Sequence, residues 1–191
     1  ISYLKPKLKE YDDLITYNVI LLVRTKGIGV LTKEKALDYA ISGPNLRASG
    51  IKFDLRKEES YSIYPRFEFE VPVKTTGDSW DRFKLRMEEM TQSLRIIEQA
   101  IDNIPAGDFL AKLPKILKVP AGEIYFRSES PRGELGFYLI SDGSTKPFRL
   151  KCRAPSFSNL AVIPELARGM KVADVIAILG SLDIVLGEID R

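Results

Sequence analysis

Histidine is absent from this 191-residue sequence, and cysteine occurs once, as Cys152. The first absence removes a Ser-His-Asp triad, an imidazole general base and a Cys/His zinc site. The second removes any intrachain disulfide and any self-contained iron–sulfur cluster, which takes several thiolates from one chain. Electrons or metals handled by such a chain have to be held by a partner. Long apolar runs are missing too: Val19 to Val23 and Val175 to Leu179 fall far short of the ~20 residues of a membrane-spanning helix. Neither sign of charge dominates, since 29 Lys and Arg are interspersed with 26 Asp and Glu. The remainder, +3 with a pI of 8.9, lacks the massed basic face that nucleic-acid binding uses. The chain opens at Ile1, in a helical pattern and without a signal peptide's charged and apolar regions. It is expected to be a piece of something longer.

What is present suits one compact domain over 1–191, because 45% hydrophobic content in a chain of this length can bury a core without staples. Leu4, Leu8, Tyr11, Ile15, Val19 and Leu22 recur at helical spacing, which predicts one helix from Leu4 to about Thr25, stopped by Gly27-Ile28-Gly29. That Gly-x-Gly lacks the strand and third glycine of a dinucleotide fingerprint and reads as a turn. Thr32 is the expected cap of a short helix carrying Ala36, Leu37 and Ala40, ended by Gly43-Pro44. Residues Pro44 to Thr76 read as a long loop rich in charge and Tyr, with an isolated or edge strand where Phe67, Phe69, Val71 and Val73 alternate with Glu68, Glu70 and Pro72. A loop of that length with that content suggests an interaction surface.

The strongest local pattern follows Asp78. Trp80, Phe83, Met87, Met90, Leu94, Ile97 and Ile101 step alternately by three and four, predicting a long bundle helix over 78–103 with Asp78 as its cap. Met87 and Met90 are read as core, the other reading being a quinone-facing stripe. From Gly122 the period becomes two, and Glu123 to Ser128, Glu134 to Ser141 and Pro147 to Arg153 are expected as three short antiparallel strands within 123–153. In the last, Phe148, Leu150 and Cys152 face one way and Arg149, Lys151 and Arg153 the other, which gives a solvated basic face and a buried thiol. Helical patterns return at Asn159 to Arg168, closed by Gly169, and at Lys171 to Leu179, closed by Gly180. The fold class is α+β, predominantly α.

Several ordered motifs resemble one family. Glu129-Ser130-Pro131-Arg132-Gly133-Glu134, Ser141-Asp142-Gly143-Ser144, Lys146-Pro147, Arg153-Ala154-Pro155-Ser156-Phe157 and Ala173-Asp174 lead to the tail, Gly180-Ser181-Leu182-Asp183-x-Val185-x-Gly187-Glu188-x-Asp190-Arg191. Upstream, Arg24-Thr25-x-Gly27-Ile28-Gly29-Val30, Ser42-Gly43-Pro44-x-Leu46-Arg47-Ala48-Ser49-Gly50, Gly77-Asp78-x-x-Asp81-Arg82 and Arg86-Met87-Glu88-Glu89-Met90 keep the same order. Over nearly the whole chain they are similar to the carboxy-terminal half of the quinone-site subunit of respiratory NADH dehydrogenase (complex I). The resemblance implies a helical-bundle core like that of the related [NiFe] hydrogenase large subunits. Those relatives hold their metal through tail thiolates, where this chain has Val185 and Glu188, so nothing soft is left to bind nickel.

The resemblance further implies a proton-translocating NADH:quinone oxidoreductase. The quinone chamber would lie beside the terminal 4Fe-4S cluster of an iron–sulfur partner subunit, with NAD and FMN bound in other subunits. Partners would be that subunit, the other peripheral-arm subunits and membrane subunits at the quinone entry, with no nucleic acid. The location implied is peripheral to the cytoplasmic or inner membrane, on the cytoplasmic side. Carried over by position, Asp183, Val185 and Arg191 belong to the quinone pocket, with Glu188 and Asp190 in support and Arg153 where the hydrogenase relatives place an Arg over the metal. Val185 would be an apolar wall, Asp183 would fix the tail and Arg191 would supply permanent charge. The family's quinone-headgroup His and Tyr belong to the other half, so these residues alone are expected to bind no cofactor and to lack quinone reductase activity. The same subunit type in a quinone or phenazine oxidoreductase that takes electrons from reduced deazaflavin or another donor, and a non-catalytic scaffold or basic binding domain, remain the alternative readings.

Overall fold

A computed structural model describes residues 1–112 and 114–190. Its longest element is the helix predicted after Asp78. In chain order the helices are α1 (Leu4–Tyr11), α2 (Val19–Thr25), α3 (Lys33–Asp38), α4 (Pro44–Ala48), α5 (Leu55–Glu58), α6 (Ser79–Asp102), α7 (Pro155–Leu160), α8 (Ile163–Ala167), α9 (Val172–Leu182) and α10 (Leu186–Ile189). Strands β1 (Gly122–Ser130), β2 (Gly133–Ser141) and β3 (Arg149–Arg153) form an antiparallel sheet in the order β1-β2-β3. The α+β class, with helices predominating and a small sheet, is the one the periodicities predict.

Helix α6 starts where its cap says it should. The Asp78 carboxylate accepts the Asp81 amide at 2.8 Å on one oxygen and the Gly27 amide at 2.8 Å on the other. One side chain thus begins the helix and holds the glycine turn that ends α2. The buried face of α6, however, is not the predicted apolar seam. Ser79, Asp81, Arg82 and Leu85 are buried, whereas of the seam only Leu94 is, and Met90, Ile97 and Ile101 are exposed. Met87 and Met90 are therefore not deep core residues. The reason is tertiary: α4 and α9 dock on the Arg82/Leu85/Arg86 side, and guanidinium hydrogen bonds do there what apolar burial does in an ordinary bundle.

The single helix expected from Leu4 to Thr25 is broken. A π-helical turn spans Asp12–Thr16, and Asn18 leaves the helical region to accept the Ile20 amide at 2.9 Å, opening α2 as a new element. Trp80 Nε1 donates to the Thr16 carbonyl at 3.2 Å and Lys84 pairs with Asp12 at 2.7 Å, which ties the break to α6.

Thr32 caps α3 as expected, but Gly43-Pro44 opens α4 rather than only closing α3. Gly43 sits at φ 67° and Gly133 at φ 130°, and a Cβ on either would collide with the backbone of the other's segment. The start of α4 and the β1–β2 turn therefore lie against each other only because both positions are glycine. The loop predicted over Pro44 to Thr76 contains α4, α5 and a 3₁₀ turn at Tyr64–Arg66. Its extended stretch around Phe67 and Phe69 has no strand partner. It buries both rings and bonds to α6 instead, with the Glu68 and Glu70 amides donating to Gln99 and Gln92 at 2.8 and 3.0 Å.

The helix predicted at Asn159 to Arg168 begins earlier, at Pro155, and is interrupted before Ile163, with Pro164 supplying the restriction. Gly180 does not close α9. The helix runs two residues further and ends at Asp183, which takes the left-handed conformation at φ 56°. Phe148 and Leu150 are exposed and Cys152 is half-buried, so β3 lacks the buried face expected of it. The main core joins Leu31, Ala36, Ile41 and Leu46 to Val162, Leu166, Ile178 and Leu182, from α3, α4, α8, α9 and the residues that flank them.

The double use of Asp78 is testable. Asp78→Ala removes the α6 cap and the Gly27 anchor together. Expected is a loss of about 1–2 kcal/mol in urea unfolding of the chain, with faster amide exchange at Gly27.

Candidate functional site

Two arginines one turn apart on α6 set the geometry of the tail. Arg82 is fully buried and donates to Ser181 Oγ at 2.9 Å, the Gly77 carbonyl at 2.7 Å, and the Gly29 carbonyl and Ser79 Oγ at 3.0 Å. All four acceptors are neutral. Burial, and then the neighbouring Arg86, bring its pKa down to about 9, so it remains a cation at neutral pH. Arg86 donates to the Ser181 carbonyl at 2.7 Å, the Leu182 carbonyl at 3.3 Å and Asn45 Oδ1 at 3.0 Å. Buried Asn45 returns a bond to the Leu182 carbonyl at 3.2 Å. The last carbonyls of α9, which no helical amide can reach, are thus satisfied by a guanidinium and an amide, and the positive charge meets the negative end of the helix dipole.

The chain then turns at Asp183. Its carboxylate lies 3.3 Å from Arg132 Nε and 3.8 Å from Arg86 Nε, one acid between two guanidiniums. Both Nε atoms are buried and otherwise without a hydrogen-bond partner, so Asp183 is the counter-ion that makes their burial tolerable. Beyond it, Ser156 is a hub: its Oγ accepts the Val185 amide at 3.3 Å and donates to Glu188 at 2.5 Å, and its own amide donates to Glu188 at 3.2 Å. Val185 and Glu188, the positions that the hydrogenase resemblance assigns to thiolates, are held together on the first turn of α7. Val185 is half-buried.

Of the six residues expected in one pocket, the structure brings Asp183, Val185 and Glu188 together. Arg153 stays on the sheet, donating to the Glu134 and Ala40 carbonyls at 2.8 and 3.0 Å. Asp190 is exposed at the end of α10, and Arg191 lies outside the described residues. Among the described residues no group of His, Cys, Asp or Glu is arranged to hold a metal ion.

A second buried charge cluster lies on the far side of a cavity of about 410 Å³ shared with the tail. Arg47, 2% exposed, bonds Glu89 and Glu129 at 2.7 Å each and stands 3.7 Å from Asp54, which itself accepts two bonds from the Arg56 guanidinium at 2.9 and 2.6 Å. Burial pushes the Asp54 carboxyl up, but the Arg56 bond and the charges of Arg56 and Arg47 outweigh it and hold it below the usual carboxylate range. Glu129 goes the other way, because its burial exceeds what Arg47 returns. The signs follow by linkage. Asp54 contributes stability above the usual carboxylate range, which is lost as pH falls through its lowered pKa. Glu129 favours the fold while protonated, and that contribution is lost as pH rises through its raised value.

Arg82, Arg86, Arg132, Asn45 and Ser156 carry the geometry, yet in the sequence only membership of the ordered motifs marked the arginines and Ser156, and nothing marked Asn45, which stands at an open position of its motif. No periodicity singles out a buried arginine. The hub role of Ser156 predicts that Ser156→Ala, which leaves Glu188 one donor, accelerates amide exchange at Val185 about tenfold, the equivalent of one ordinary hydrogen bond, with little change at Leu85 in mid-α6.

Comparison with known proteins places these features. The family model described as respiratory-chain NADH dehydrogenase, 49 kDa subunit, matches residues 1–118 and 112–191. The NADH-quinone oxidoreductase D subunit of Desulforamulus reducens is 56% identical over 190 residues, covering 100% of this chain and 52% of that protein. Its counterparts in Bacillus mycoides and Bacillus cytotoxicus are 53% and 52% identical over 191 residues, with the same coverage. The chain spans about half the length of the curated relatives it matches. With a family model matching along its length and relatives 51–56% identical over the whole chain, the chain belongs to the 49 kDa subunit family of respiratory NADH dehydrogenase.

Proposed function

We propose that this chain forms part of the quinone-site subunit of a proton-translocating NADH:quinone oxidoreductase and that its tail, from Asp183 to Glu188, forms one wall of the quinone-reduction chamber. The observation that carries the reading is the way the tail is built. A turn is pinned from beneath by Arg86, Asn45 and Ser156, and it displays an aliphatic side chain, Val185, where thiolates would serve a metal. Oxygen and hydrocarbon groups in place of soft ligands suit a flat, weakly polar ring better than nickel. The identities of 51–56% with relatives named as NADH-quinone oxidoreductase subunits support the parent activity.

In this reading electrons arrive from NADH by way of FMN and clusters in other subunits, the last a 4Fe-4S cluster held by the iron–sulfur partner. Val185 bounds the ring. Arg86 and Arg132, two cations sharing the single carboxylate of Asp183, leave a positive excess that favours negative charge developing on the quinone. Glu188 keeps Val185 in place through Ser156. Arg191 supplies a further cation at the tail's end, Asp190 supports it from α10, and Arg153 supports the chamber from the sheet. No helix among the described residues is long and apolar enough to cross a membrane. We place the chain in the peripheral arm on the cytoplasmic side, against the iron–sulfur subunit and near the membrane subunits through which quinone enters.

The test is Val185→Trp in the intact complex. The added bulk is expected to raise KM for quinone, or weaken a quinone-site inhibitor, by tenfold or more, as pocket volume changes of ~1–3 kcal/mol do, while assembly and electron entry from NADH to an artificial acceptor persist. Native quinone kinetics in an assembled variant would remove Val185 from the chamber.

A further inference from the structure

Helix α7 is six residues long and opens on Pro155 without a side-chain cap, too short to persist on its own in water. Two of its side chains, Ser156 and Asn159, stand three residues apart, hence on one face, and both are fully buried. Ser156 takes the tail, through the Val185 amide and Glu188. Asn159 takes the β1–β2 turn: its Nδ2 donates to the Arg132 carbonyl at 3.1 Å, and its Oδ1 accepts the Ser42 amide at 3.4 Å. Ser42 Oγ in turn accepts the Glu134 amide at 3.0 Å, so the hairpin is held on both sides of Gly133.

These bonds close a ring. From Asn159 it runs through the Arg132 main chain to the Arg132 guanidinium, then across to Asp183 at 3.3 Å. It continues two residues along the chain to Val185, whose amide leads back to Ser156, one turn of α7 before Asn159. Each member of such a ring is fixed by two neighbours, so a displacement at one place has to be taken up at the others.

We propose that Asn159 is a positioning residue for the tail site. It holds Arg132 and Asp183 at a set place relative to Val185, and so fits the cationic and aliphatic sides of the site to one quinone ring. The proposal rests on the quinone reading for its ligand. The side chain required is specific. One short amide supplies a donor to the Arg132 carbonyl and an acceptor for the Ser42 amide. Aspartate lacks the donor, and leucine, of similar size, lacks both.

The experiment combines hydrogen exchange and quinone kinetics on the intact complex. Asn159→Leu is expected to accelerate amide exchange at Ser42, its direct partner, and at Val185, across the ring, by about tenfold, the equivalent of one ordinary hydrogen bond. It should lower kcat/KM for quinone by a similar factor, with NADH oxidation by an artificial acceptor unchanged. Asn159→Asp keeps the acceptor and should accelerate exchange at Val185 while leaving Ser42 close to native; it decides if Asn159→Leu does not assemble. Because Asn159 and Ser156 belong to one ring, Asn159→Leu combined with Ser156→Ala should lower kcat/KM little further than the worse single variant, whereas unconnected damage would multiply. Gln99→Ala removes two bonds of the same kind between α6 and the Glu68 main chain, away from the tail, and is expected to leave kcat/KM for quinone native. Unchanged exchange at Val185, a multiplicative loss in the double variant, or an equal loss in Gln99→Ala overturns the proposal. So do native quinone kinetics in an assembled Asn159 variant, and Val185→Trp then shows which statement failed: if it too is native, the tail is removed from the chamber, and if it is impaired, the tail stays and Asn159 is removed.

Discussion

Everything at the tail depends on two guanidiniums that α6 carries into the interior. Arg82 and Arg86 bond the end of α9 through Ser181 Oγ and the Ser181 and Leu182 carbonyls. Arg82 also reaches back to the carbonyls of Gly29 and Gly77. A charge buried without partners costs several kcal/mol, and one surrounded by oriented acceptors is tolerated only in that arrangement. The pair therefore acts as a gauge. α9 cannot slide or rotate on α6 without stranding a donor, whereas an apolar contact of equal area would survive small shifts. That rigidity is passed directly to Asp183 and Val185, the next residues along the chain.

The hairpin is brought to the same place by a different constraint. Gly43 and Gly133 allow the start of α4 and the β1–β2 turn to touch backbone to backbone, and Asn159 and Ser42 complete the junction through the Arg132 carbonyl and the Glu134 amide. As a result Arg132 points at Asp183 from the sheet while Arg86 reaches it from α6. Two elements distant in sequence converge on one carboxylate. The residue that receives them adopts the left-handed conformation, a strain characteristic of sites whose surroundings over-determine them.

The chemistry of the tail follows from what those constraints hold in place. Glu188 and Val185 stand at the positions that the resemblance to hydrogenase large subunits assigns to thiolates. Glu188 is held by the hydroxyl and the amide of Ser156, which fix its position beside Val185. A turn with an aliphatic surface and nearby positive charge is suited to bounding a neutral ring that becomes negative as it accepts electrons.

Much of this was legible in the chain itself. The Asp78 cap, the 24-residue α6, the three strands and the Thr32 cap follow from local rules, because capping and periodicity are decided within a few residues. The absent histidine and solitary Cys152 excluded whole classes of chemistry, and the tail motif suggested six pocket residues, of which Asp183, Val185 and Glu188 lie along the tail while Arg153 stays on the sheet. The structure decided what local rules cannot reach. It broke the first helix at Asn18, carried α9 through Gly180, folded the 44–76 loop back against α6, and turned the polar face of α6 inward in place of its apolar seam. The inward polar face of α6 and the folded-back loop depend on hydrogen bonds between residues tens of positions apart, such as Arg82 with Ser181 and Glu68 with Gln99. A sequence read residue by residue prices a buried arginine as improbable, and only the assembled fold supplies the acceptors that make it the fixed point of the site.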